Sequence, residues 1–142
     1  MKIHNWPRAM FEYQAPAVLN QATPVNGTFY TILDTTKYVR VYDIGINIED
    51  ADEDLEVQVT VDGETIAASA ATCTHSTSYF CVLHVNPITR VDYIGIISNT
   101  NFQFGSHAIL EGHSVKIEVR KTSANGAGNL TGIVTYGVLK NV

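Results

Sequence analysis

Two clusters in this chain hold the residue types that do chemistry. The first is acidic: Glu49, Asp50, Asp52, Glu53, Asp54 and Glu56. Asp50, Asp52 and Asp54 match the first three ligand positions of a helix-flanked calcium loop. The sixth position is then Leu55, where the turn needs glycine, and the twelfth is Val61, where a bidentate glutamate is needed. The spacing therefore excludes an EF-hand. A looser calcium site on Asp50, Asp52 and Asp54 stays open as an alternative. The reading adopted is a solvated loop between two strands, whose like charges keep neighbouring molecules apart, with no bound metal.

The second cluster is Cys73, His75, Cys81 and His84. All four are zinc-ligand types, but C-x-H-x5-C-x2-H is not a common structural zinc spacing. Cys81 and His84 stand an odd number of residues apart on a strand-like run, so they point to opposite faces. Cys73 and Cys81 could pair across a hairpin only in an oxidising setting, and no apolar run follows Lys2 as a secretory leader requires. The expectation is reduced thiols, with Cys81 a small core residue. For catalysis, a nucleophile, a base and an orienting acid must converge. The histidines at 4, 75, 84, 107 and 113 are scattered one per segment, and neither G-x-S-x-G nor H-E-x-x-H occurs. Asn125-Gly126-Ala127-Gly128-Asn129 lies between strand-like runs rather than before a helix, so it lacks the helix terminus that binds phosphate. The expectation is a non-enzymatic protein without a cofactor.

The elements that carry these residues are strands. Leu55, Val57, Val59 and Val61 alternate with Glu56, Gln58, Thr60 and Asp62, and Val115, Ile117 and Val119 alternate with Lys116, Glu118 and Arg120. Period-two patterning of this kind means one buried and one wet face. In the next run, Tyr42, Ile44, Ile46 and Ile48 alternate with Val41, Asp43, Gly45 and Asn47. The runs 79–85, 91–97 and 133–139 are apolar on both faces. Asn26-Gly27, Asp62-Gly63 and Asn86-Pro87 are turn signals between runs. The Ala-rich stretch Glu64 to Cys73 suits a short helix or a strand equally. Strands at roughly ten-residue spacing predict an all-β fold, a β-sandwich or barrel.

Residues 1–20 differ in kind. Trp6-Pro7 and Ala15-Pro16 interrupt regular structure and favour extended chain. We read them as an N-terminal arm, with 21–142 the sandwich. Trp6, Met10, Phe11 and Tyr13 give that arm an apolar surface that must dock, on its own sandwich or on a neighbour. They are the candidate partner-binding residues.

The chain has 142 residues and a formal net charge of −5, with 45% hydrophobic and only 16% charged residues. That is too apolar for a disordered chain and too acidic to grip nucleic acid through a basic face. Its apolar stretches are strand-sized, well below the ~20 residues that span a bilayer as a helix. The doubly apolar strands hold more apolar surface than one small sandwich covers, which points to a homo-oligomer.

Phe29-Tyr30-Thr31-Ile32-Leu33-Asp34-Thr35, then Val39 to Ile46, then Leu55 to Glu64 with its Val-Thr-Val-Asp-Gly-Glu ending, form a layout of strands and turns. This layout, over residues 28–67, resembles small jelly-roll virion proteins of tailed bacteriophages and related viruses: head-decoration proteins, minor capsid proteins and fibre modules. The resemblance implies a single antiparallel β-sandwich of jelly-roll type and a structural role, often as a trimer, docked on a major capsid or tail protein in a virion assembled in the host cytoplasm. It offers no catalytic residues. The rival reading is a calcium- or carbohydrate-binding sandwich module, such as a receptor-binding fibre.

Overall fold

The computed structural model describes residues 10–48, 53–73, 80–85, 92–98, 110–122 and 128–140. The strands are β1 (Phe11–Tyr13), β2 (Ala17–Gln21), β3 (Tyr30–Thr35), β4 (Val39–Ile48), β5 (Glu53–Val61), β6 (Glu64–Cys73), β7 (Phe80–Val85), β8 (Asp92–Ser98), β9 (Leu110–Gly112), β10 (Val115–Lys121) and β11 (Leu130–Leu139). They form two antiparallel sheets. In sheet A, β11 lies between β4 and an edge made of β1 and β2 in succession, while β7 and β9 share the other side of β4 and β8 lies beyond β7. Sheet B has the order β3-β10-β5-β6.

The pairing identifies a jelly roll. Strands β2, β3, β4 and β5 pair antiparallel with β11, β10, β7 and β6 respectively. Those four pairs are the rungs of one long hairpin. Wrapping it into a barrel places β2, β11, β4 and β7 in one sheet and β3, β10, β5 and β6 in the other, which is the observed partition. The sequence expectation of an all-β jelly-roll sandwich therefore holds. Strand β2 crosses residue 20, where the sequence reading divided arm from sandwich.

The core lies between the sheets. Leu55, Val57, Val59 and Val61 of β5 and Val115, Ile117 and Val119 of β10 are buried as their alternation predicts. β-bulges on β4 and β3 change the phase there. On β4 the register against β11 shifts between Thr135 and Tyr136, which makes Tyr42 an extra residue. Val39 and Val41 face the core before the bulge, and Ile44, Ile46 and Ile48 after it. The simple alternation read through residues 41–48 put Val41 and Ile44 on opposite faces, and the bulge corrects this. On β3 the shift opposite Ile117 and Glu118 makes Ile32 the extra residue, so Ile32 and Leu33 are both buried. Glu64 to Cys73 is a strand, not a helix. Pairing with β5 along its length overrides the helix propensity of its alanines.

The β5–β6 turn is a two-residue hairpin in which Asp62 and Gly63 both have positive φ, 51° and 84°. Asp62 also ties this turn to the next layer of chain. Its Oδ1 accepts bonds from the backbone N–H groups of His113 (2.8 Å) and Ser114 (3.1 Å) in the β9–β10 turn.

Candidate functional site

The outer faces of the two sheets differ in chemistry. In sheet B, the residues turned away from the core include Asp34, Glu56, Lys116, Glu118 and Arg120. Glu56 and Arg120 stand directly opposite one another and pair at 2.8 Å, and the Arg120 guanidinium lies 4.4 Å from the centre of the Phe29 ring. Lys116 and Glu118 approach to 3.6 Å. This is a wet, charged face.

Part of the outer face of sheet A carries no charge. Val18 and Asn20 of β2, Thr131 and Ile133 of β11, and Gly45 and Asn47 of β4 line a shallow groove of about 330 Å³. Each points outward because its neighbours Leu19, Gly132 and Ile46 take the core side. Val18 is 68% exposed and Ile133 36%. Gly45 deepens the groove by contributing no side chain. Asn47 Oδ1 is buried and has no hydrogen-bond partner among the described residues. Asn20, Asn47 and Thr131 supply both donors and acceptors, so the lining is polar enough for specific contacts and apolar enough to favour burial.

At the other end of this outer face lies a buried polar cluster. Arg40 of β4 and Glu111 of β9 are direct cross-strand partners and form an ion pair, with side chains 9% and 2% exposed. Tyr38 donates its hydroxyl to Glu111 Oε2 at 2.8 Å. Phe11 lies over the Arg40 guanidinium, 4.4 Å from ring centre to Cζ, and covers the arginine of the pair.

The candidate arm residues divide accordingly. Phe11 is buried against its own sheet, and its strand pairs with β11. Met10 is half-buried, and its carbonyl accepts a bond from the Lys140 N–H at 2.8 Å. Tyr13 is exposed, with its ring stacked on Tyr42 at 4.9 Å. Trp6 lies outside the described residues. The edge that carries these residues breaks at Ala15-Pro16, where β1 and β2 have one residue more than β11 between their ladders. Proline, lacking an N–H, suits such an edge bulge.

Of the calcium candidates, Asp50 and Asp52 lie outside the described residues, and Asp54 sits on β5 opposite Thr72 of β6. Cys73 ends β6 in sheet B while Cys81 lies on β7 in sheet A. His84 stands opposite Tyr93 on β8, and His75 lies outside the described residues. His113 is exposed in the β9–β10 turn, with its ring edge-on to Tyr38 at 4.8 Å. Among the described residues no group of three or more His, Cys, Asp or Glu could hold a metal ion. No helix there is long and apolar enough to cross a membrane.

The Arg40–Glu111 pair and the uncharged groove escaped the sequence reading. Arg40 did carry a signal: a charge set between the apolar Val39 and Val41 needs a partner if buried. Its partner, 71 residues away, is visible only in the fold.

No protein-family model matches the chain, and no curated protein matches it. Among solved structures, a chain of "Structure of infectious bursal disease virus Gx strain" aligns with 99% of this chain, at a TM-score of 0.26 and 10% identity. The aligned region is 47% of that chain, so this chain spans about half its length. The jelly-roll assignment rests on the strand pairing.

Proposed function

We propose that this chain is a non-enzymatic structural protein of a virion, a jelly roll that self-associates and docks on a capsid or tail surface. Its mechanism is buried surface rather than bond chemistry. The observation that carries the reading is that sheet B displays charged pairs, while part of the outer face of sheet A, between Val18, Asn47 and Ile133, is a neutral groove bordered by Asp43. For a chain of net charge −5, like-with-like contact meets least repulsion through an uncharged patch. Amide and hydroxyl side chains are self-complementary, as a contact between identical subunits requires. Tyr13 extends the same face. The trimeric state and the virion setting come from the resemblance of the strands in residues 28–67.

The test is the native mass of the full chain in solution by sedimentation velocity and light scattering. A trimer or larger assembly is the expected result. A clean monomer at tens of micromolar would remove self-association from the proposal.

A further inference from the structure

Strands β1 and β9 are each three residues long and lie on opposite sides of the β11–β4 pair. Neither is hydrogen-bonded to the other, since β1 pairs with β11 and β9 with β4. Such short ladders hold a strand weakly by themselves, so side chains must anchor them. Both use the same anchor. Phe11 of β1 caps Arg40, Arg40 pairs with Glu111 of β9, and the Tyr38 hydroxyl bonds Glu111 while its ring stands 6.2 Å from Phe11. None of these residues belongs to the main apolar cluster, which takes Val39, Val41 and Leu110 from the same strands. The contact crosses β11 at Gly137, where a Cβ would stand 3.1 Å from Phe11 Cβ and 3.0 Å from the Tyr42 hydroxyl.

We propose that Phe11, Arg40, Tyr38 and Glu111 form a latch that couples the seating of the N-terminal strand β1 to that of β9, so that displacing either strand releases the other. The physical basis is the ion pair. Held dry by Phe11, Arg40 and Glu111 attract strongly and fix each other's geometry; once wet, the pair is screened and its hold on β9 weakens. In the other direction, loss of Glu111 removes the ion pair that orients the Arg40 guanidinium, the surface on which Phe11 rests. Coupling of this kind is reciprocal.

Amide hydrogen exchange on the full chain tests this. The Gln14 and Lys140 amides report β1, because they bond Tyr136 O and Met10 O, and the amides of residues 110–112 report β9. Phe11→Ala is expected to speed exchange at both sets at least about tenfold, and Glu111→Gln to do the same, while β5 and β10 amides keep their wild-type rates. Faster exchange at Gln14 and Lys140 alone in Phe11→Ala, with 110–112 unchanged, would overturn the latch. If Glu111→Gln loses protection in β5 and β10 as well, Tyr38→Phe replaces it. That variant removes only the hydroxyl, and a smaller rise at both sets supports the coupling, whereas a change confined to one set overturns it.

Discussion

Ile32 of β3 reaches across the sandwich to Gly132 of β11, and its Cδ1 methyl stands 2.5 Å from where a Cβ on residue 132 would lie. The β3 bulge puts Ile32 there: as the extra residue, it turns inward beside Leu33. The missing side chain at position 132 is the space that the bulge fills. Gly132→Ala is therefore expected to overpack the core and cost about 1–3 kcal/mol. Ile32→Val removes the clashing methyl and is expected to restore part of that loss in the double variant. Chemical denaturation of the four proteins of the cycle measures the coupling; simple additivity would contradict this contact.

The buried pair Arg40–Glu111 makes the opposite kind of prediction. Arg40→Met alone leaves the Glu111 carboxylate buried and without its charge partner, at an expected cost of about 3–5 kcal/mol. Changing both partners, Arg40→Met with Glu111→Leu, is expected to recover most of that loss, because an apolar pair needs no desolvation of charge. Urea unfolding of the single and double variants decides it. A double variant no more stable than Arg40→Met would show that the pair contributes more than mutual neutralisation.

Asp62 combines a left-handed backbone with a carboxylate that holds the β9–β10 turn. Asp62→Asn keeps an acceptor oxygen and the tolerance for positive φ, so its stability should stay within about 0.5 kcal/mol of wild type. Asp62→Ala loses both features and is expected to cost about 1–2 kcal/mol. Thermal melts under matched conditions check the difference between the two.

A charge placed on the two outer faces should have unequal effects on assembly. Ile133→Lys puts an ammonium beside the neutral groove and is expected to shift the chain to monomer without loss of fold. Thr31→Lys, exposed on β3 opposite Glu118, is expected to leave the native mass unchanged. Light scattering with circular dichroism distinguishes dissociation from unfolding. Equal behaviour of the two variants would mean that sheet A is not the contact face.

Strand identity was legible where one strand has one wet face. In β5 and β10, alternation of Val, Leu and Ile with charged residues names the core positions directly. The turns at Asn26-Gly27 and Asp62-Gly63 were equally legible, since Gly27, Asp62 and Gly63 have the positive φ that those residue types accept. β4 was not legible to the same degree. Its bulge at Tyr42 reverses which parity faces inward, and a bulge is fixed by the register against β11, ninety residues or so downstream. The alanines of β6 were ambiguous for a related reason: their state depends on pairing with β5.

By itself the sequence determined that this chain is a set of strands with a mildly acidic, sparsely charged surface, because period-two patterning and composition are properties of neighbouring residues. Only the tertiary structure decided which strands share a sheet, where Arg40 finds Glu111, and which part of a face is left neutral. Those outcomes depend on closing one long hairpin into a jelly roll. Closure brings together residues such as Phe11, Arg40 and Glu111, whose separation in the chain gives no local trace of their contact.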